Sequence, residues 1–234
     1  MGENEKCAAW PGLSSCARAG GGVGYMPLAD MRGAQLERSS LLLHSCCGPC
    51  STSVIESLSD AFKVTVFFYN PNITDRDEYL KRRESQLLFI NEYNKTVSID
   101  RQIAFLEGEY LTSEFYEAAK GLEDAPEGGA RCTKCFILRL EKTAQMARMG
   151  GYDLFGTTLT VSPHKNYPLI SSIGKDMALK YAVSFLDRDF KKKDGFRRSI
   201  ELSKKYGLYR QNYCGCEFSK WFEKQAEKEN KGEK

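Results

Sequence analysis

The sequence predicts an α/β protein in which a parallel sheet is flanked by helices. Three segments, 41–44, 63–69 and 152–158, are rich in apolar, β-branched or aromatic residues, which is typical of buried strands. The stretches between them carry amphipathic patterns and helix-capping residues. Strands that alternate with helices form βαβ units, and these units build parallel sheets.

The elements follow one another along the chain without an internal repeat. Residues 41–44 end at a Cys/Gly/Pro turn, and residues 63–69 stop at Asn70-Pro71-Asn72, so both runs have clear ends. Helices are predicted at residues 51–61, 75–93, 112–120, 133–149, 173–183, 196–206 and 217–230. The segment 95–106 is ambiguous, with a short strand as one interpretation.

The 234 residues fit one domain of ordinary size with tails. Hydrophobic residues make up 41% of the chain, which suffices for a real core. Residues 1–39 are glycine-rich and lack a hydrophobic period, so we expect a flexible, disordered leader before a folded α/β domain at residues 40–220. We expect residues 221–234 to be the charged end of the last helix and a tail.

The sequence also argues against a membrane-spanning protein and against a secreted one. No run approaches 18 apolar residues, so we expect no membrane helix, and the N-terminus lacks the basic and apolar regions of a secretory signal. Nine cysteines in separate clusters are unlike a disulfide scaffold of a short secreted chain. Reduced thiols favour the cytoplasm.

Seven of the nine cysteines form three groups that are remote in sequence. The groups are Cys46, Cys47 and Cys50; Cys132 and Cys135; Cys214 and Cys216. Each group lies at a predicted loop or helix start, and the carboxyl ends of parallel strands meet at one edge of a sheet, where ligands bind. We therefore expect the groups to converge there. The other two, Cys7 and Cys16, lie in the leader and are assigned no role.

The spacing of the cysteines leaves several chemistries open. Cys47-Gly48-Pro49-Cys50 matches the thioredoxin tetrapeptide, whose thiolate is stabilised at a helix N-terminus. Cys132 and Cys135 form a second C-x-x-C, and two such pairs suggest a four-sulfur site for zinc or an iron–sulfur cluster. Glycine between Cys214 and Cys216 permits a tight backbone. Seven thiols around one point favour redox chemistry over a structural zinc site.

Charge is unevenly distributed along the chain. Residues 101–127 carry two basic residues against seven acidic ones, whereas residues 188–210 carry nine basic against three acidic. The basic segment includes Arg197, Arg198 and Arg210 and is interleaved with aromatic residues. Basic groups that neutralise phosphates, together with rings that stack on bases, are what an RNA-binding surface needs.

Five segments in order resemble one known family, the QueH-type epoxyqueuosine reductases, which act on a hypermodified base in the tRNA anticodon. The segments are HSCCGPCS (44–51), FFYNPNITDRDEYLKRRE (67–84), RCTKCFILRLEKTA (131–144), FGTTLTVSPHKN (155–166) and GLYRQNYCGC (207–216). They span nearly all of residues 40–220. Residues 1–39 lie outside the resemblance.

The resemblance implies a Rossmann-like fold and an oxidoreductase that removes the epoxide oxygen of epoxyqueuosine in tRNA, giving queuosine and water, as the last step of queuosine biosynthesis. The resemblance also implies roles for six cysteines. The ligands of a [4Fe–4S] cluster would be Cys46, Cys47, Cys132 and Cys135, and the redox-active pair would be Cys214 and Cys216. Some members hold a second iron, and Cys50, which can be Asp in the family, is assigned to that metal.

Other assignments rest on residue chemistry. Cys46 and Cys47 are adjacent, so both reach one cluster only if the chain turns there; otherwise Cys50 replaces one of them. His44, His164 and Tyr213 are candidates for proton supply, although His44 is equally a core histidine. Lys165 and Arg210 are the preferred contacts to tRNA phosphates. The electron donor is not identified by the sequence.

Two competing hypotheses remain. One is a zinc-stabilised RNA-binding module without catalysis. The other is a thiol–disulfide oxidoreductase built around Cys47 and Cys50.

Overall fold

The computed structural model describes residues 38–220. The strands are β1 (Ser39–His44), β2 (Phe62–Phe68), β3 (Ala104–Glu107), β4 (Leu154–Thr157) and β5 (Ser184–Phe185). The helices are α1 (Gly48–Leu58), α2 (Arg76–Asn94), α3 (Thr112–Ala119), α4 (Ala130–Met149), α5 (Tyr167–Tyr181) and α6 (Gly195–Lys205). Short 3-10 turns lie at Ile99–Arg101 and Thr158–Val161.

The strands of the described residues form one sheet in the order β3-β2-β1-β4-β5, and all four neighbouring pairs are parallel. This is the strand order of a doubly wound, Rossmann-like sheet. The predicted α/β class with a parallel sheet is therefore confirmed. The order of strands reverses between β1 and β4, and ligands of such sheets bind at the carboxyl edge near that point.

Helices cover both faces of the sheet. Side chains alternate along a strand, so Leu41 and Leu43 point to one face of β1 and Leu42 points to the other. Leu41 and Leu43 pack in a cluster with residues of α1 and α2, whereas Leu42 packs with residues of α4 and α5. All three leucines are fully buried, as in a strand covered on both faces.

Most predicted elements are present, and the differences are at helix starts and in one strand. Helix α1 begins at Gly48 and α5 at Tyr167, both earlier than predicted, because Pro49 and Pro168 occupy the first turn, where proline is tolerated. The ambiguous segment 95–106 overlaps β3, which extends one residue further to Glu107. Strand β5 was not predicted, since its two residues are too few to show a period.

Parts of the predicted domain organisation lie outside the described residues. Of the predicted leader at residues 1–39, only Arg38 and Ser39 are described, and Ser39 begins β1. The predicted tail at residues 221–234 lies entirely outside the described residues. Among residues 38–220, no helix combines the length and the apolar character needed to cross a membrane.

Gly48 lets α2 approach the start of α1 closely. A Cβ atom at position 48 would lie 2.5 Å from the carbonyl oxygen of Ser85. We expect Gly48→Ala to lower the free energy of unfolding by about 1–3 kcal/mol, measured by urea denaturation, because the backbone of α2 must move. Ser53→Ala is the control: Ser53 Oγ is buried without a hydrogen-bond partner among residues 38–220, so its removal should be harmless. An unchanged or higher midpoint for Gly48→Ala would contradict this packing.

Candidate functional site

The loop between β1 and α1 gathers the first three cysteines. The Sγ atoms of Cys46, Cys47 and Cys50 all lie within 4.8 Å of one another, a spacing that fits one metal ion. Cys46 Sγ and Cys47 Sγ are 3.8 Å apart, so the two adjacent side chains lie on the same side of the chain. The strand has ended by then, and Cys47 caps α1 with an extended backbone. The turn that the adjacent cysteines require is therefore present.

Buried polar side chains hold this loop in place. Ser45 Oγ donates to Gln86 Oε1 at 2.8 Å, and Gln86 Nε2 donates to Ser51 Oγ at 2.9 Å. Asn70 Nδ2 donates to the Ser45 carbonyl at 2.9 Å, which joins the end of β2 to the loop. The loop is thus tied to α2, to α1 and to the neighbouring strand.

Helix α4 brings the second pair to the same place. Cys132 and Cys135 lie in its first turns, and the backbone N–H of Gly128 donates to Cys132 Sγ at 3.2 Å. Cys132 and Cys46 pack against the same buried cluster, which includes Phe136 of α4. The first two cysteine groups therefore adjoin each other around this cluster.

Arg82 fixes the loop that carries the third pair. Its Nη1 and Nη2 atoms donate to the carbonyls of Cys214 at 3.0 Å and Tyr213 at 3.1 Å, and its Nε atom donates to Glu78 Oε1 at 2.6 Å. Gly215 has a φ of 115°, a region that favours glycine, and a Cβ there would lie 3.1 Å from Arg82 Nη1. Arg82 and Gly215 together set the course of the C-x-C segment.

The third group packs against the second, and the segment that leads to it contacts the first. Cys216 packs in one buried cluster with Cys135. Gln211 Nε2, just before the C-x-C segment, donates to Cys47 Sγ at 2.9 Å, and Lys165 Nζ donates to Cys214 Sγ at 3.4 Å. The structure therefore brings all three groups to the carboxyl edge of the sheet.

The first three thiols interact with one another. Hydrogen bonds with Cys47 and Cys50 hold the pKa of Cys46 well below its usual range. The interaction with Cys46 raises the pKa of Cys47 to about 12 and also raises that of Cys50. Of the three thiols, Cys46 is therefore the most readily ionised.

Burial and charge shape the rest of the site. Burial raises the pKa of Cys135 to about 11 and that of Cys216 to about 12. Two cations, Arg139 and Lys165, lie within electrostatic range of sulfurs from all three groups. All seven cysteines of the described residues are free thiols.

The candidate proton donors have different surroundings. His44 is fully buried; its Nε2 faces the Tyr69 carbonyl at 3.2 Å, and its Nδ1 lies 3.0 Å from Thr157 Oγ1. Burial lowers the pKa of His44 to about 3, so the imidazole is neutral and both nitrogens are satisfied, as in a core histidine. His164 is exposed, and half-buried Tyr213 has its pKa raised to about 12 by burial.

The basic residues named from the sequence divide between the pocket and the surface. Lys165 lies in the pocket, beside Cys214. Arg197 is exposed on α6, whereas Arg198 donates to both carboxylate oxygens of Glu56. Arg210 Nη1 donates to Ser203 Oγ at 3.2 Å.

Three residues of the site were missed by the sequence analysis: Arg82, Arg139 and Gln211. Arg139 follows Cys135 by four positions, so the helical period places both on one face of α4, and that was an available signal. Arg82 lies in a segment full of charges, and nothing in its local sequence distinguishes it from its exposed neighbours. Gln211 has no local signal either.

We expect Arg82→Met to loosen the C-x-C segment. The change leaves Glu78 buried without its cation and removes two donors to the loop, so the free energy of unfolding should fall by about 3–5 kcal/mol. Amide hydrogen exchange should accelerate over residues 209–216. Arg83→Met is the matched control, because Arg83 pairs with Glu107 on the partly exposed side of α2. Equal exchange in both variants would show that Arg82 does not hold the loop.

Comparison with known proteins places the chain in a family. A family model described as epoxyqueuosine reductase QueH matches residues 41–221. Proteins named epoxyqueuosine reductase QueH are similar over most of the chain. That of Staphylococcus epidermidis is 45% identical over 185 residues, covering 78% of this chain and 77% of the relative. That of Streptococcus pyogenes serotype M1 is 44% identical over 182 residues, covering 78% and 71%, and that of Thermotoga maritima is 43% identical over 183 residues, covering 77% and 90%. The chain belongs to the QueH family of epoxyqueuosine reductases.

Proposed function

We propose that this protein reduces epoxyqueuosine at the wobble position of the tRNA anticodon to queuosine, the last step of queuosine biosynthesis. The reaction removes the epoxide oxygen: two electrons and two protons are consumed, two C–O bonds break, a C=C bond forms, and water leaves. The observation that carries the proposal is the convergence of seven free thiols and two cations, Arg139 and Lys165, in a chain of this family.

The residues of the pocket fit a [4Fe–4S] cluster. Its ligands would be four thiolates, which Cys46, Cys47, Cys132 and Cys135 can supply from two adjoining walls. A cluster with four thiolate ligands carries net negative charge. Arg139 fits that charge, because its Nη2 atom is buried without a hydrogen-bond partner among the described residues. When bound, the cluster would transfer single electrons.

Cys50 is the thiol assigned to a second iron. Its Sγ lies within 4.8 Å of both Cys46 Sγ and Cys47 Sγ, so a metal held by Cys50 would adjoin the cluster ligands. A second metal with an open position would polarise the C–O bond of the epoxide.

Cys214 and Cys216 are the proposed redox-active pair. Oxidation of two thiols to one disulfide releases two electrons and two protons, which is what removal of the epoxide oxygen consumes. Cys216 is buried beside Cys135, whereas Cys214 is partly exposed and contacts Lys165. The more accessible Cys214 is therefore the thiol that meets substrate or reductant first. The electron donor that restores the dithiol is not identified.

We further propose that tRNA binds across Lys165, Arg197, Arg198 and Arg210. Lys165 is close enough to the sulfurs to contact the phosphate next to the modified base. Arg197 is exposed, and it would contact the phosphate backbone of the anticodon stem. Arg198 would have to release Glu56 before it binds a phosphate. The substrate and the reduced thiols both favour the cytoplasm.

The two competing functions are less consistent with the site. A thiol–disulfide oxidoreductase needs an accessible thiolate at the helix start. Here Cys47 is buried, accepts a hydrogen bond from Gln211, and has its pKa raised by its contact with Cys46. A structural zinc site uses four sulfurs and leaves three thiols unexplained.

The cluster assignment is tested by anaerobic purification followed by iron, sulfide and zinc analysis and an absorbance spectrum. Wild-type protein should be brown and contain both iron and sulfide, with iron in excess of sulfide where the second metal is bound, and Cys132→Ser should lose the sulfide and the cluster iron. Cys50→Ser should keep the cluster, and so should Cys7→Ser, which lies before the residues matched by the family. Full iron loading of Cys132→Ser would refute the ligand set, and colourless protein with one zinc would favour the RNA-binding module.

The tRNA surface is tested by the double variant Arg197→Glu, Arg198→Glu. Binding to tRNA should weaken, and the slope of log affinity against log salt should fall by about 1 for each phosphate that the protein no longer neutralises. Lys180→Glu is the control, because Lys180 is a paired surface cation on α5, on the opposite face of the sheet. If the double variant has the slope of the wild type, α6 is not part of the interface.

A further inference from the structure

Three arginines of the described residues are among the largest fully buried side chains: Arg82, Arg131 and Arg139. Arg82 holds the C-x-C segment through backbone carbonyls, and Arg131 donates to the carbonyls of Leu122 and Glu123 in the loop before α4. The roles of these two residues are therefore to fix loops. The role of Arg139 is not explained in this way.

Within residues 38–220, the guanidinium of Arg139 makes one hydrogen bond and interacts electrostatically with cysteine sulfurs. Its Nε atom donates to the Cys135 carbonyl, one turn earlier in α4, at 3.3 Å. Its Nη2 atom is buried and has no hydrogen-bond partner in the part of the chain that the structure describes. Within that part no carboxylate forms a salt bridge with it. A buried cation without an anion is costly, so its position requires an explanation.

The ionisable groups that interact with Arg139 are cysteines of all three groups. Burial alone would lower the pKa of Arg139, but the sulfurs of Cys135, Cys214 and Cys46 raise it above its ordinary value. Cys132 and Cys135 precede Arg139 by seven and four residues on one face of α4, so the helix directs the guanidinium along the same wall as the proposed ligands.

We propose that Arg139 is the fixed positive charge of the sulfur site, which offsets the negative charge of the metal-bound thiolates and makes one-electron reduction of the site easier. This inference rests on the proposed function, because it concerns the cluster held by Cys46, Cys47, Cys132 and Cys135. Reduction adds one negative charge to the site, and a buried cation beside the site stabilises that charge more than water-screened residues do. Net charge and hydrogen bonds to the sulfurs are what set the potentials of such clusters. Arg139 acts through the sulfurs and does not touch the epoxide.

The test is a redox titration of anaerobically reconstituted protein. The electron paramagnetic resonance signal of the reduced cluster reports how much of the cluster is reduced at each potential. Arg139→Gln and Arg139→Met remove the charge, and Arg139→Lys keeps it. Arg148→Gln is the matched control, because Arg148 is an exposed arginine nine residues further along the same helix. The two neutral variants should shift the reduction equilibrium about tenfold toward the oxidised form, a midpoint about 59 mV more negative. Arg139→Lys should recover most of the shift, and Arg148→Gln should match the wild type.

The outcomes separate this inference from the proposed function. Neutral variants with full iron and sulfide and a wild-type midpoint would overturn the inference and leave the reductase proposal intact. If both neutral variants lose the cluster while Arg139→Lys holds it, the requirement for a positive charge is supported; if all three lose it, shape and not charge explains Arg139. Wild-type protein without iron and sulfide would instead overturn the proposed function itself, before any variant is compared.

Discussion

Ionised sulfur is costly to bury, and the arrangement of this protein around its carboxyl edge follows from that cost. A thiolate withdrawn from water needs positive charge or N–H donors close to it. The chain supplies both: Lys165 and Gln211 donate to the sulfurs of Cys214 and Cys47, and Arg139 lies within electrostatic range of sulfurs from all three groups. The same groups would stabilise a negatively charged metal centre.

The doubly wound sheet explains how remote cysteines meet. The loop after β1 carries Cys46 and Cys47, and β1 is the central strand, next to β4. The loop after β4 carries Lys165, so the switch point between these strands has thiols on one side and a cation on the other. Helix α4 and the C-x-C segment complete the pocket at this edge. Arg82 links the C-x-C segment to α2 by hydrogen bonds instead of regular secondary structure.

The sequence was sufficient for the elements with strong local patterns. Buried strands such as 41–44 and 63–69 and the amphipathic helix at 75–93 were predicted close to their observed bounds, because hydrophobic period and turn residues are local properties. Strand β5 and the early start of α5 depend on tertiary pairing and on caps.

The cysteines were recognisable because their spacing is unusual. Buried Arg82 was not recognisable, because the burial of a charged side chain depends on which segments pack over it. Lys165 illustrates this: its charge was evident, but its position against Cys214 was not.

The proposed chemistry requires sulfurs from three parts of the chain to form one electron-transferring metal centre. An anomalous diffraction map, collected at the iron edge from crystals of anaerobically reconstituted protein, would locate the metal among them. We expect strong iron peaks surrounded by Cys46, Cys47, Cys132 and Cys135, with Cys214 and Cys216 beside them. Iron absent from that position, or a single zinc bound by Cys46, Cys47 and Cys50 alone, would show that no such centre exists.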